Sequence, residues 1–310
     1  QELFTAGFGS FAAGDDAMWI VARQSGASFS EQASSISEPT STESGKPQGF
    51  AFEAQPLSSG GSSTVEGIQT LQAQPGPGFT SQIFVDSYSL FRVDPRTNKW
   101  KEVAQFETTA PPGPAGLATG DGSVWVATSE SNLTGRLWRF DQQTGKLQKQ
   151  ITFQGDPNGV AYEGGFVWVP VNPAPQSVLK IDPSTNKVAG RVAIPNAGFV
   201  GAIAAADEDV WVAGSYAGEG EGPFFVARID TTTGTLSGAG EVPASLQYLA
   251  AGGGHVWGIP RDEPRSLVRI TGNLFSGRLA VATDALGLTV DGSQLWLGGI
   301  PATGVTRYEF

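Results

Sequence analysis

The sequence lacks cysteine and has a single histidine among its 310 residues. The absence of cysteine excludes disulfides, thiolate metal sites and cysteine nucleophiles. Charge is also scarce, because only 16% of the residues are charged, and acidic residues outnumber basic ones by 30 to 19. The net charge of −11 argues against nucleic acid or an anionic membrane surface as a partner, since both are bound by basic faces. No apolar run approaches the about 20 residues of a transmembrane segment, so none is predicted.

Glycine and proline are abundant instead, with 42 and 20 residues. This composition is typical of short strands joined by many turns, and it disfavours long surface helices. The chain opens with Gln1 rather than with methionine, which removal of a signal peptide or another trimming event would explain. Together with the acidic, lysine-poor composition, this opening favours an exported, extracytoplasmic protein that is secreted, periplasmic or located at the cell surface.

The most informative pattern is a tryptophan that recurs about every 40–45 residues within a short apolar strand. It occupies positions Trp125, Trp168, Trp211, Trp257 and Trp296. Each tryptophan follows a Gly/Asp turn, and an apolar strand lies before that turn. A variable loop and a third strand follow, and a fourth strand is recognisable after several of the third ones. Four short antiparallel strands in each unit predict the blades of a β-propeller.

Three of the third strands run into the same kind of turn, with the pattern Asp-x-x-Thr-Gly/Asn over residues 141–145, 182–186 and 230–234. Aspartate is expected to cap such a turn through its side chain. Glycine or asparagine at the fifth position accepts the left-handed backbone that reverses the chain. These motifs therefore predict hairpins between the third and fourth strands.

The two ends of the chain complete the predicted architecture. The first unit contains Trp19 and is interrupted by an insertion over residues 24–81, whereas the last unit ends at Phe310 after three strands. We expect residues 1–7 to supply the missing fourth strand of that last unit. The sequence thus predicts an all-β fold, a single six-bladed β-propeller over residues 1–310 with four-stranded antiparallel blades. The tryptophans are predicted to pack between blades rather than to bind a ligand.

Two stretches carry a family resemblance. The turns "IDPSTNK" and "VDPRTNK", with the strand pattern "DPNGVAYEGGFVWV", resemble YVTN-type and virginiamycin B lyase-like (streptogramin lyase-like) propellers. The resemblance covers nearly the whole chain outside residues 24–81 and implies the propeller fold. Its motifs are structural, so they specify the activity poorly.

The lyase family implies a metal-dependent site that uses histidine and glutamate from the central face of the propeller. Here the single histidine, His255, lies in "GGGHVW" between the first and second strands of its unit. Such turns lie on the face opposite the usual propeller site, and a general base needs suitable geometry before a suitable pKa. His255 is therefore predicted to begin a strand beside a glycine turn.

A second resemblance is to the gluconolactonase-like group, which binds a divalent cation at the entrances of its innermost strands. The corresponding positions here are Ala115, Asn158, Val200, Gln247 and Ala285. Hard cations require about six or more oxygen ligands, several of them carboxylates. Asn158 is the one suitable ligand and Gln247 a poor second, so the sequence predicts no metal and no cofactor, with Asn158 left as a ligand-binding candidate.

The remaining candidate residues fall in loops between second and third strands. Glu219 and Glu221 lie in one such loop, and Arg261, Asp262 and Glu263 lie in the next. In a propeller these loops gather on one face, together with the connections from each fourth strand to the next first strand. Function concentrates in loops on a rigid scaffold, although paired acids in loops are more often a solvated surface.

The insertion over residues 24–81 leaves the fold on the same face. It is rich in serine, which is typical of disorder, but "GFAFEAQPL" and "TVEGIQTLQAQ" alternate apolar and polar residues and predict a hairpin. Phe50 and Phe52 are its candidate contact residues. The segment could cover the channel of its own propeller, bind a partner subunit, or be an incidental loop. A glycosylation sequon at Asn132 lies in another loop of this face and has meaning only in a eukaryotic secretory route.

These observations favour a non-catalytic extracytoplasmic propeller that binds a protein partner or an extended ligand through the face that carries the insertion, as part of a larger assembly. The alternative is a metal-dependent enzyme of the lyase or lactonase type, with its site at the mouth of the central channel. An enzyme requires convergent polar groups in a pocket, whereas a binding module requires a broad apolar patch with a polar rim.

Overall fold

The computed structural model describes residues 10–13, 17–23, 86–94, 96–97, 99–109, 114–173, 175–218, 222–281, 284–291, 294–300 and 305–309. All regular secondary structure in these ranges is β, arranged in six antiparallel sheets. The described residues include no helix able to cross a membrane. The predicted insertion at 24–81, with Phe50 and Phe52, and the predicted strand at 1–7 lie outside the described residues.

The strands are numbered here in chain order. The first sheet consists of β1 (Ser10–Ala13), β2 (Met18–Arg23), β3 (Asp86–Asp94) and β4 (Lys99–Thr108). The second consists of β5 (Pro114–Gly120), β6 (Ser123–Glu130), β7 (Thr134–Asp141) and β8 (Leu147–Gln154). The third consists of β9 (Asp156–Pro157), β10 (Ala161–Glu163), β11 (Phe166–Asn172), β12 (Ser177–Asp182) and β13 (Lys187–Ala193).

The remaining strands form three further sheets. The fourth consists of β14 (Ala197–Ala206), β15 (Asp209–Tyr216), β16 (Phe224–Asp230) and β17 (Thr235–Val242). The fifth consists of β18 (Leu246–Gly252), β19 (His255–Pro260), β20 (Ser266–Thr271) and β21 (Leu274–Ala280). The sixth consists of β22 (Asp284–Asp291), β23 (Gln294–Ile300) and β24 (Val305–Glu309).

In each sheet, strands that are consecutive in the chain pair as a meander, except that the short β9 pairs with β11 rather than with β10. None of the described sheets closes on itself. The first strands of successive sheets contact one another, from β5 through β10, β14 and β18 to β22, and β1 contacts both β5 and β22. The first strands therefore face a common centre, and the fourth strands form the outer rim.

The tryptophans of the first five sheets pack between neighbouring sheets, as the sequence predicted. Trp19, Trp125 and Trp168 are 0% exposed, and Trp211 and Trp257 are also buried. Trp125 belongs to a cluster that contains residues of the third sheet, and Trp168 belongs to one that contains residues of the fourth. Large aromatic rings thus supply much of the contact area between sheets.

In each sheet a cationic residue of the third strand lies opposite the tryptophan of the second strand. The sequence analysis did not recognise these cationic residues. The register pairs Trp19 with Arg92, Trp125 with Arg139, Trp168 with Lys180, Trp211 with Arg228, Trp257 with Arg269 and Trp296 with Arg307. The guanidinium carbon of Arg139 is 4.8 Å from the ring centroid of Trp125, and the Nζ of Lys180 is 5.2 Å from that of Trp168. Both distances are in the range of cation–π attraction.

Two of these cations also join neighbouring sheets. Arg139 of the second sheet donates hydrogen bonds to the carbonyl oxygen of Pro183 at 2.6 Å and to the Oδ1 of Asn186 at 3.2 Å, both in the third sheet. Lys180 of the third sheet donates to the carbonyl oxygen of Thr231 in the fourth, at 3.2 Å. Each cation thus ties a buried tryptophan to a turn of the next sheet.

The predicted aspartate-capped turns are confirmed. Asp141 accepts hydrogen bonds from the backbone N–H of Thr144 at 2.7 Å and from its hydroxyl at 2.8 Å. Asp182 and Asp230 cap their turns in the same way, by accepting hydrogen bonds from the backbone N–H and the hydroxyl of Ser184 and of Thr233 respectively. The fifth residues of the three turns all have left-handed φ values, at Gly145 (71°), Asn186 (55°) and Gly234 (67°).

We expect the protein to lose stability in acid because of these turns. Hydrogen bonds from Thr144, Ser184 and Thr233 hold the pKa values of Asp141, Asp182 and Asp230 below their ordinary value of 3.8. A lowered pKa in the folded state contributes stability that is complete above the unfolded value and is lost as the pH falls through the folded one. The melting temperature should therefore fall as the pH drops below about 4. The triple variant D141N/D182N/D230N should show a shallower fall, and an equally steep one would contradict this account.

In five sheets the fourth strand has one more residue than the third strand it pairs with, and this extra residue lies in a nearly constant place. In the second to fifth sheets the pairing between third and fourth strands shifts by one residue directly after the cation that faces the tryptophan. In the first sheet the shift lies between Leu90 and Phe91, just before Arg92. These β-bulges increase the local twist of the outer strands.

Candidate functional site

The loops between second and third strands lie on one face, which we call the insertion face. It also carries the connections that lead from each fourth strand to the next first strand. The predicted insertion belongs to the same face, because it follows Arg23 at the end of β2, where Arg23 pairs with Tyr88 of β3. The described loops are residues 131–133, 173, 175–176, 217–218, 222–223 and 261–265. The opposite face, here called the turn face, carries the hairpin turns described above.

Asn158, the candidate ligand at an innermost strand, is half-buried on the insertion face. Its Nδ2 donates a hydrogen bond to the carbonyl oxygen of Asp156 at 3.3 Å. Its backbone N–H donates to the carbonyl oxygen of Pro170 at 3.1 Å. The second candidate, Gln247, is exposed, and its amide nitrogen lies 3.4 Å from the hydroxyl of Tyr248. Over the part of the chain that the structure describes, no three histidine or acidic side chains are grouped so that they could hold a metal ion.

The loop of Arg261, Asp262 and Glu263 is fastened by its own contacts. Glu263 forms an ion pair with Arg278 of β21 and accepts a hydrogen bond from the hydroxyl of Ser266 at 3.3 Å. The backbone N–H of Arg261 donates to the carbonyl oxygen of Ser245, at 2.8 Å, while the side chain of Asp262 is exposed. The remaining candidates in loops, Glu219 and Glu221, lie outside the described residues.

His255 begins β19 on the turn face, where the sequence placed it. The two residues before it, Gly253 and Gly254, have φ values of 60° and 77° and form the expected turn. Its Nδ1 lies 3.4 Å from the hydroxyl of Thr271, at the end of β20. Asn158 lies at the other end of the sheets, so His255 and Asn158 cannot act on one substrate group.

A buried carboxylate on the insertion face was missed by the sequence analysis. Glu130, at the end of β6, has a side chain that is 5% exposed. It accepts hydrogen bonds from the backbone N–H of Thr109 at 3.0 Å and from the Thr109 hydroxyl at 2.7 Å, and its Oε1 is 3.4 Å from the Nε of Arg136. Ser131 also bonds to Thr109. These contacts fix the connection that leads from the first sheet to the second.

The neighbouring connection, from the second sheet to the third, is held in a related way. Asp156 accepts a hydrogen bond from the hydroxyl of Ser129, which lies next to Glu130 in β6. Trp138 donates from its indole N–H to the hydroxyl of Thr128 at 2.9 Å, and Arg136 lies over the Trp138 ring. The polar groups around Glu130 therefore bond mainly to one another, and their arrangement serves to position the loops.

Among the described residues of this face, two large hydrophobic side chains are exposed. Leu133, in the loop after β6, is 56% exposed, and Phe199, near the start of β14, is 40% exposed. Among the described residues of the loops and connections of the second to fourth sheets, Asp156 is the one charged side chain, and it is bonded to Ser129. The turn face differs, since its described turns carry the acidic residues Asp94, Asp121, Asp141, Glu163, Asp182, Asp207, Glu208 and Asp230.

No family model and no curated protein matches this chain. Among solved structures, a mitotic checkpoint complex aligns with a TM-score of 0.52 at 12% identity, over 73% of this chain and 73% of that one. Hydrazine synthase of Kuenenia stuttgartiensis aligns with a TM-score of 0.50 at 11% identity, over 72% of this chain and 89% of that one. The Dos1 propeller aligns with a TM-score of 0.50 at 12% identity, over 73% of this chain and 64% of that one.

At these identities the likeness identifies the fold and nothing finer. The chain has the β-propeller fold that its repeat predicted, with antiparallel four-stranded sheets. The resemblance to YVTN-type and virginiamycin B lyase-like propellers stays a prediction, because the comparisons find no family.

Proposed function

We propose that this protein is a non-catalytic propeller of six blades that binds a protein partner through its insertion face. One observation carries the proposal: in the second to fourth sheets, the described residues of that face expose Leu133 and Phe199 where charged side chains are scarce. Protein interfaces are depleted of charge at their centre and enriched in aromatic residues. The described loop residues of this face in the second to fourth sheets are poor in charge, whereas the described turns of the turn face carry many acidic residues.

The rigidity of the loops supports the same function. Glu130 bonds to Thr109 in the connection to the second sheet, Asp156 in the next connection bonds to Ser129 of β6, and Glu263 bonds within its own sheet. A surface that is ordered before binding loses less conformational entropy when a partner docks. One solved structure similar to this chain is a mitotic checkpoint complex, which is by name a protein assembly. We propose a comparable role here, as one subunit of an assembly.

Six blades are proposed from the contacts of the first strands. β1 lies beside β22, and the sixth sheet has three described strands. Residues 1–7 precede β1 in the chain and are the segment that the sequence analysis assigned to this blade. We propose that they form the fourth strand of the last blade. An extracytoplasmic location and kinship with the virginiamycin B lyase-like propellers complete the proposal.

Partner capture with matched surface variants tests this function. Purified protein would be immobilised, extract of the native organism passed over it, and bound proteins identified by mass spectrometry. Leu133→Arg and Gln143→Arg introduce the same charge at exposed positions of the second sheet, on the insertion face and the turn face respectively. We expect a specific partner whose recovery falls on the order of tenfold with Leu133→Arg and stays unchanged with Gln143→Arg.

Two results would contradict the proposal. One is a partner that is lost with Gln143→Arg and retained with Leu133→Arg. The other is turnover of a lactone or a cyclic depsipeptide by the purified protein with added divalent cations, because this would favour the lyase- or lactonase-type enzyme.

A further inference from the structure

The outer strands of the second and third sheets carry cations and no acidic residue. β8 and β13 read "LQKQITFQ" and "KVAGRVA", in a chain with 30 acidic and 19 basic residues. We infer that the outer boundary between these two sheets binds an acidic polypeptide segment of a partner protein. The site, here called the basic rim, consists of Lys146, Lys149, Val188 and Arg191. It lies on the outer strands, apart from the insertion face, so it does not depend on the function proposed above.

Lys149 of the basic rim faces the third sheet. It pairs with Arg139 of β7, and Arg139 donates hydrogen bonds to Pro183 and Asn186 in the turn of the third sheet. Residues directly opposite each other in an antiparallel pair have their side chains on the same face of the sheet. The ammonium group of Lys149 is therefore presented at the boundary between the two sheets, where its side chain is exposed.

Val188 and Arg191 face the same boundary from the other side. They pair with Ile181 and Leu179 of β12, which belong to the hydrophobic cluster shared by the second and third sheets. Val188 is 44% exposed, and Arg191 is also exposed. The Nη1 of Arg191 donates to the hydroxyl of Ser177 at 2.6 Å, which leaves the other guanidinium N–H groups for a ligand. Cations from both sheets thus flank one apolar side chain.

The cations of the basic rim have no acidic partner among the described residues. Lys146, Lys149 and Arg191 form none of the ion pairs found there. Lys149 also stands directly opposite Arg139, and like charges in this position destabilise a sheet. Arg139 is paired with Asp121 at 2.8 Å, so that carboxylate is already engaged. A carboxylate supplied by a ligand would offset the repulsion at Lys149.

The repeat itself does not require this set of residues. The residue opposite the cation of the third strand is glycine in the third, fourth and fifth sheets, at Gly190, Gly238 and Gly277. In the first sheet it is Lys101, but β4 also carries Glu102 and Glu107. A lysine in a strand without acids therefore distinguishes Lys149 from its equivalents, although all five sheets have the same backbone pattern.

The chemistry of the basic rim favours a polypeptide among anionic ligands. Neither outer strand has an exposed aromatic ring, on which the bases of a nucleic acid would stack. Nucleic acids and sulfated polysaccharides are densely charged, and a protein with a net charge of −11 repels them as a whole. An acidic polypeptide can place single carboxylates beside Lys149 and Arg191 and an apolar side chain on Val188.

Binding of a defined acidic peptide tests the basic rim. A fluorescein-labelled peptide of repeated Glu-Leu-Gly units would be titrated with the full chain by fluorescence anisotropy. We expect Lys149→Glu and Arg191→Glu each to raise its dissociation constant on the order of tenfold, and added salt to weaken binding. Lys101→Glu makes the same charge change at the equivalent position of the first sheet and should leave binding unchanged. Thermal unfolding of each variant shows that the fold is retained.

Several results would overturn the inference. An acidic peptide that does not bind, or that binds both variants as tightly as the wild type, would remove the site. Equal losses with Lys101→Glu would mean that net charge alone governs binding. Oligothymidylate or heparin that binds more tightly than the peptide, and is lost with Lys149→Glu, would assign the basic rim to another class of anion.

Carbodiimide coupling tests whether the chain's own carboxylates occupy the site. The reagent joins a lysine amine to a carboxylate in contact with it, and mass spectrometry identifies the linked residues. We expect Lys149 to be linked to a glutamate of the added peptide. A link from Lys149 to a glutamate of residues 24–81 in the protein alone would show that this segment, rather than a partner, is the occupant.

Discussion

Replacing Trp168 with alanine should lower the free energy of unfolding by about 3–5 kcal/mol. The ring is 0% exposed and packs among residues of the third and fourth sheets, so its removal leaves a cavity between two blades. The substitution also removes the hydrogen bond from the indole N–H to the carbonyl oxygen of Glu163, at 3.1 Å. Lys180 loses the ring beneath its ammonium group as well.

Chemical denaturation of the two purified proteins measures this loss. Trp100→Ala provides the matched control, because it makes the same chemical change at a tryptophan that is 43% exposed on an outer strand. Trp100 contacts the edge of the Phe91 ring at a centroid distance of 5.5 Å, so its removal should cost about 1 kcal/mol. Equal losses for the two variants would show that position in the repeat does not decide the energetic role of a tryptophan.

A single methyl group on Gly240 should destabilise the protein by about 1–3 kcal/mol. Gly240 lies in the outer strand β17, where the turn before β21 approaches closely. A Cβ at this position would overlap the carbonyl oxygen of Asn273, which is backbone and cannot rotate away. The neighbouring Gly238 faces the side chain of Asn273 in the same way. Packing between the fourth and fifth blades therefore requires the small residues of "SGAG".

Gly190→Ala serves as the comparison for Gly240→Ala. Gly190 lies in the outer strand β13, where the nearest atom to an added Cβ would be the Cβ of Lys180 at 3.9 Å. Alanine there should leave stability unchanged or raise it slightly, because glycine weakens a strand interior. Both variants would be compared by their denaturant midpoints. A Gly240→Ala protein as stable as Gly190→Ala would mean that the fifth blade shifts to accept the methyl group.

The repeat made the main elements of the fold predictable. A tryptophan at a fixed place in each unit predicted burial between sheets, and Asp141 and its two equivalents predicted capped hairpins. These features depend on neighbours within a few residues or on a period, and both can be read along the chain. The cation opposite each tryptophan was visible in the third strands too, but its contact with the next blade depends on spatial proximity.

The candidate site stays a prediction. Asn158, Arg261, Asp262 and Glu263 lie on the face that the sequence indicated, but Asn158 and Glu263 are engaged in local structural contacts. The stretch "NAGFVGAI" reads as an ordinary apolar strand, and its alternation gives no sign that Phe199 is exposed. Two register shifts flank Phe199, and Asn172 bonds to the adjacent Val200, which lies 28 residues later in the chain. Such contacts are set by packing between blades.

The extra residue in each outer strand bears on how the protein behaves at high concentration. A regular edge strand offers a continuous row of N–H and C=O groups, which another chain can pair with to begin aggregation. In five sheets the bulge interrupts that row, so a foreign strand cannot remain in register along the whole edge. The outer edges of these five sheets are thereby protected against strand addition. Under the proposed function, side chains of the insertion face rather than backbone groups of the rim select the partner.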